Sequence, residues 1–133
     1  MNAVIVDTDI LIDFLRGQPG AKKFFGQLIA QSVVCCSAIT VAELHAGMRE
    51  WEEQATRDLT GGLVVLPVTQ EIAEKAGRLK RYARGFAPGL GDCLVAATAI
   101  LEDVPLATTN RKHYPFEGLE LDVPDYEGRG NRE

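Results

Sequence analysis

The chain has 133 residues, 46% of them hydrophobic and 25% charged, with a formal net charge of −5. That length predicts one domain with a real hydrophobic core, and the acidic balance argues against a protein that coats nucleic acid through its overall field. It does not exclude a nuclease, because acids that bind a metal count negatively in the same sum while serving a polyanionic substrate. The apolar start is interrupted by Asp7, Asp9 and Asp13 and so reads as neither a signal peptide nor a membrane span. Cys35, Cys36 and Cys93 give no disulfide framework and no zinc spacing, which points to the reducing cytoplasm.

Ala3-Val4-Ile5-Val6 reads as a buried parallel strand that ends abruptly at Asp7-Thr8-Asp9. Ile10, Leu11, Phe14 and Leu15 then take helical spacing, stopped by Gly17-Gln18-Pro19-Gly20. A second helix is expected over Ala21–Ala30 with Phe24, Phe25, Leu28 and Ile29 inward, followed by a strand at Val33–Cys36. Ser37 or Thr40 opens a helix carrying Val41, Leu44 and Met48, and further helix is expected around Trp51–Leu59. Leu63–Leu66 is a third strand, and Thr69 caps a helix with Ile72, Ala76, Leu79 and Ala83 on one face. After a loop, Leu94 to Leu101 lie on a helix apolar nearly all round and therefore buried. Strands at Pro105–Thr109 and Leu119–Val123 complete an alternating pattern, that of an α/β fold with a mostly parallel sheet. Residues 1–124 are read as a single domain and 125–133 as a polar tail.

Three acids stand at strand ends or helix starts: Asp7, Glu43 and Asp92. Each has a purely structural alternative. Asp7, Asp9 and Asp92 can cap or flank helix starts, and Thr40-Val41-Ala42-Glu43 fits a capping box. Taken together, the three fall after strands of one parallel sheet and are expected at one edge, where ligands collect. Converging carboxylates without a nearby cation repel one another. A hard divalent ion relieves that repulsion and supports phosphoester chemistry.

Val6–Leu11, Ser37–Leu44, Leu90–Ala99 and Leu106–Asn110 resemble the successive motifs of PIN-domain proteins, and within them most closely the VapC toxins of prokaryotic toxin–antitoxin pairs. The resemblance runs from Ala3 to about Val123 with all motifs in order. It implies a three-layer α/β/α fold and an endoribonuclease dependent on Mg²⁺ or Mn²⁺. It also implies an RNA substrate, a cognate VapB-like antitoxin and a homodimer. Carried over by position, Asp7, Glu43 and Asp92 are the catalytic, metal-binding acids, with Thr8 and Thr40 in support. Asn110 stands where many members carry a fourth acid, which leaves the choice between one metal and two open.

Arg111, Lys112 and His113 lie beside the expected site and are candidates for substrate contact. The basic run Lys75, Arg78, Lys80, Arg81 and Arg84 reads first as a solvated helix face, and no stacking platform of interleaved aromatics is evident. Trp51 and the Phe24-Phe25 pair are expected in the core or at an interface, and Cys93 as a small buried hydrophobe. Two rival readings stand beside the nuclease. One is a phosphatase of the haloacid-dehalogenase type using Asp7 and Asp9, from whose motif Ile10-Leu11 departs. The other is an inactive RNA- or partner-binding module in which Asn110 marks the loss of an acid.

Overall fold

In the computed structural model, which describes residues 2–128, the opening apolar run is the middle strand of a five-stranded sheet. β1 (Asn2–Val6) pairs with β2 (Ser32–Ser37) on one side and β4 (Leu106–Ala107) on the other. β3 (Val64–Leu66) lies outside β2, and β5 (Leu121–Asp122) outside β4. All four pairings are parallel, in the order β3-β2-β1-β4-β5. Strand succession therefore reverses between β1 and β4, and a crevice opens past the carboxyl ends at such a switch point. Asp7 is the first residue beyond β1, and its N–H donates to the Ala107 carbonyl at 2.9 Å.

The period-2 alternation of the strands divides the core. Val4, Val6, Val34 and Cys36 face one side, where they meet Ile10 and Leu11 of α1 (Thr8–Leu15), Phe25 and Leu28 of α2 (Pro19–Gln31) and Leu44 of α3 (Ala38–Gly47). α4 (Glu53–Gly61) follows a one-turn 3₁₀ helix at Glu50–Glu52 and adds Leu59 to that side. Ile5, Cys35 and Leu106 face the other side, against Val95, Ala96 and Ala99 of α6 (Leu90–Glu102). α5 (Gln70–Arg81) packs on α6 through Ile72, Ala76, Cys93 and Ala97. Helices on both faces of a parallel sheet make the expected three-layer α/β/α architecture. Each buried Val, Leu, Ile or Phe among them contributes about 1.5–3 kcal/mol by leaving water.

Several elements differ in detail from the sequence reading. α2 starts earlier than Ala21, at Pro19, because Gln18 accepts from the Ala21 amide at 2.8 Å and proline needs no partner in a first turn. Within that helix Ile29 is 55% exposed, not inward. Ser37, not Thr40, caps α3, accepting from the Ile39 amide at 3.1 Å. Trp51 is 77% exposed and so not in the core; the Arg49 guanidinium lies 5.5 Å from its ring centroid. Phe25 is buried, edge-on to Phe14 at 4.7 Å. Of the tail, Tyr126 lies against Gly20 and donates its hydroxyl to Asp13 at 3.1 Å, while residues 129–133 fall outside the described residues. Among the described residues no helix is long and apolar enough to cross a membrane.

Candidate active site

Asp7 serves at once as the N-cap of α1 and as the buried centre of the crevice. Its backbone is extended, and its Oδ1 accepts from the Thr8 amide at 2.8 Å. The same oxygen accepts from the Tyr114 hydroxyl at 2.9 Å, and Oδ2 accepts from the Thr108 hydroxyl at 2.8 Å. Three donors from three places in the chain thus fix a carboxylate that is only 5% exposed. Burial pushes its pKa up to about 7, opposed by the Thr108 and Tyr114 hydrogen bonds and reinforced by the nearby charges of Asp9 and Asp92. The N-cap contact therefore does not use up Asp7, whose side chain also meets Thr108 and Tyr114 in the crevice.

Asp92 sits in the first turn of α6, but Gly89 occupies the cap position, so the side chain is turned to the crevice and not spent on its own helix. Its Oδ1 lies 3.2 Å from the Tyr114 hydroxyl, and its Oδ2 lies 3.6 Å from Nδ1 of His113. A phenol has one proton, and two carboxylates face it here. The shorter contact, to Asp7, takes that proton, which leaves the Asp92 side short of positive charge. Burial and the two neighbouring carboxylates raise the Tyr114 pKa, so the hydroxyl stays protonated.

Glu43 takes no part in the capping box with Thr40. Its Oε1 accepts from the Thr8 hydroxyl at 2.7 Å. That donation uses the single Thr8 proton, so the buried Thr40 hydroxyl, 3.1 Å away, donates to Thr8 in turn. Thr8 and Thr40 thus form a short relay that holds Glu43 beside the start of α1. Gly91 completes the approach: a Cβ there would stand 2.8 Å from Glu43 Oε2. The Glu43 carboxylate consequently lies against the first turn of α6, next to Asp92.

Asn110 is buried, and its side chain meets neither Asp7 nor Asp92 in a hydrogen bond among the described residues. Its amide N–H donates to Thr108 at 3.0 Å, and Nδ2 lies within 3.2 Å of the His113 ring nitrogens. It acts at one remove, shaping the loop that carries Thr108, His113 and Tyr114. Arg111 and Lys112 are exposed on a one-turn 3₁₀ helix, Arg111–His113, and neither is in an ion pair among the described residues. His45, two residues from Glu43, is half-buried and has no part in this cluster.

Sequence reasoning missed Thr108 and Tyr114. The signal was faint: Thr108 falls inside the expected fourth strand and the motif Leu106–Asn110, and Tyr114 follows a run read for its charges, with nothing in the spacing to turn either toward Asp7. Gly91 lies within the motif Leu90–Ala99, and the close approach of Glu43 is its reason.

The oxygen-only donor set suits a hard divalent cation. Asp7 is a desolvated carboxylate amid like charges, a single hydroxyl bridges it to Asp92, and among the described residues no Lys or Arg pairs with either. The same residues do not form a ready cage of three, since Glu43 is separated from the pair by the Thr8 relay. A cation that retains several waters, as Mg²⁺ does, needs only one or two direct carboxylates. The residues fit such an ion.

The sequence profile of the PIN domain matches residues 4–118. The ribonuclease VapC10 of Mycobacterium tuberculosis is 40% identical over 119 residues, which cover 87% of this chain and 90% of that protein. A toxin–antitoxin complex from Klebsiella pneumoniae contains a chain of 31% identity and TM-score 0.77, over 93% of this chain and 98% of its own. VapBC2 from Rickettsia felis, solved bound to a DNA fragment of its promoter, shares the fold at TM-score 0.80 and 24% identity, over 92% and 99%.

Proposed function

The chain belongs to the PIN-domain family, and from that premise we propose that it is an endoribonuclease of the VapC type, the toxin of a VapBC-type pair. Its partner is a VapB-like antitoxin, as the toxin–antitoxin complexes among its structural relatives suggest. Its substrate is RNA, its working form a homodimer, and its cofactor Mg²⁺ or Mn²⁺. The observation that carries the reading is the pair Asp7 and Asp92 joined through Tyr114 at the switch point of the sheet.

Asp7 and Asp92, with Glu43 nearby, would hold the cation. When bound, the ion polarises a phosphodiester oxygen and lowers the pKa of a water, which makes hydrolysis feasible at neutral pH. The chain's own groups provide positioning. Thr8, Thr108 and Tyr114 fix both oxygens of Asp7, so the carboxylate needs little reorganisation during reaction. Thr40 orients Thr8, and Thr8 orients Glu43. Arg111 and Lys112 are placed to meet phosphates, and His113 beside Asp92 is placed to meet a substrate oxygen. Asn110 holds that loop in shape.

The comparison favours the nuclease over a phosphatase, because a relative that is 40% identical and covers 87% of this chain is a ribonuclease. The test is cleavage of total cellular RNA by the purified, antitoxin-free chain with Mg²⁺, with Mn²⁺ and with EDTA, alongside Asp7→Asn and Asp92→Asn. Discrete fragments that need the ion and vanish in both variants are expected, a loss of at least about 100-fold. Equal cleavage by folded variants would remove the two acids from the reaction.

A further inference from the structure

We propose that the groove between α5 and the loop following β4 seats single-stranded RNA next to the cleaved phosphodiester, an assignment that rests on the endoribonuclease reading above. The groove encloses about 420 Å³, and its lining includes Lys75, Arg78, Tyr82, Arg84, Phe86 and Phe116, together with the carboxylate of Glu117.

Charge is the first reason. Lys75, Arg78 and Arg84 face one carboxylate, and none of the three cations is in an ion pair within 4.0 Å among the described residues. In a chain of net charge −5 such a local excess selects an anionic partner.

The aromatic rings are the second. Tyr82 is 59% exposed, with the Arg81 guanidinium stacked 4.7 Å from its centroid. Phe86 and Phe116 form a tilted pair, centroids 5.8 Å apart. The sequence hides this platform, because Phe116 meets Phe86, and joins Tyr82 in lining the groove, only after β4 has been laid into the sheet. The Lys80 ammonium donates to the Pro88 carbonyl at 2.6 Å and ties the loop bearing Phe86 back onto α5. Alternating cations and aromatic faces grip an unpaired strand through its phosphates and bases without reading sequence.

Continuity is the third. Tyr114 touches Asp7 and Asp92, and the next two residues, Pro115 and Phe116, line the groove. The groove is thus joined to the acids by two residues of chain, near enough for one RNA strand to occupy both. The lining comes from helix and loop residues and exposes no strand edge, so a peptide adding to the sheet has no place here.

The test uses the full chain carrying Asp7→Asn to prevent turnover, and fluorescein-labelled single-stranded RNA of roughly 12 nucleotides. Binding is followed by anisotropy as salt is varied, against the same background with Tyr82→Leu or with Arg78→Ala and Arg84→Ala together. Each change is expected to raise Kd about tenfold, and the double change to lower the salt slope by about 1.4, two single-strand phosphate contacts' worth, while Tyr82→Leu leaves the slope alone. These side chains are solvent-facing, and matching melting temperatures certify the fold. Unchanged affinity and slope in both variants overturns the proposal, as does unchanged RNA affinity with altered sedimentation, which assigns the groove to a second copy. If the chain with Asp7 intact cuts RNA while the groove variants bind normally, only the groove assignment falls. If that chain cuts nothing with any divalent ion, the endoribonuclease reading falls instead.

Discussion

Asp7 is held where the folded chain disfavours its charge. Its carboxyl ionises near 3.8 in the open chain and near 7 once buried. Between those values the folded state keeps a proton that the unfolded chain has already released. Stability therefore falls as pH rises through this window, and the penalty above it amounts to about 4 kcal/mol before any cation binds. Asp7→Asn keeps the shape and removes the charge, although Thr108 must then turn from donor to acceptor. In EDTA at about pH 8 the variant is expected to be more stable than wild type by about 1–3 kcal/mol, the gap narrowing toward about pH 5. Equal melting curves at both pH values would show that burial does not penalise this carboxylate. Tyr114 and Thr108 lessen the same penalty through their hydrogen bonds, which is why the loop after β4 belongs to the site as fully as the acids do.

At the scale of elements, the site depends on where α3 meets α6. Glu43 reaches the crevice because Gly91, in the first turn of α6, presents no side chain to its carboxylate. Gly91→Ala is expected to fold normally, since the obstructed atom is the end of a flexible side chain and alanine favours a helix by up to about 1 kcal/mol over glycine. Metal-dependent RNA cleavage is expected to drop by about 100-fold as Glu43 is displaced. A variant that cuts normally would show that Glu43 need not occupy its present place. The elements themselves were legible, because apolar runs, turn residues and caps agreed at β1, β2, α5 and α6. Thr69 caps α5 as its sequence position suggests, with its hydroxyl accepting from the Ile72 amide at 3.2 Å. Thr40 was ambiguous because a hydroxyl three residues before a glutamate suits either a capping box or support of the acids, and only the fold brings Thr8 near enough to decide. Tyr114 was illegible for the same reason: 107 residues separate it from Asp7.

At the scale of the whole molecule, a parallel sheet with its switch point between β1 and β4 brings Asp7 at the start of α1 and Asp92 in the first turn of α6 to one crevice, with Glu43 reaching it from the middle of α3. The net charge of −5 is thus compatible with an RNA substrate, because negative charge is concentrated at the cation site while Lys75, Arg78, Arg84, Arg111 and Lys112 stand on surfaces around it. The central claim is that this crevice binds a divalent cation through Asp7 and Asp92. Its most direct test is a titration of the RNA-free chain with Mn²⁺, read by the loss of the free-ion electron paramagnetic resonance signal, for wild type, Asp7→Asn and Asp92→Asn. Saturable uptake by the wild-type chain, weakened at least about tenfold in each variant, is the expected result. Variants that take up Mn²⁺ as tightly as the wild-type chain would contradict it, and would place the ion elsewhere in the molecule.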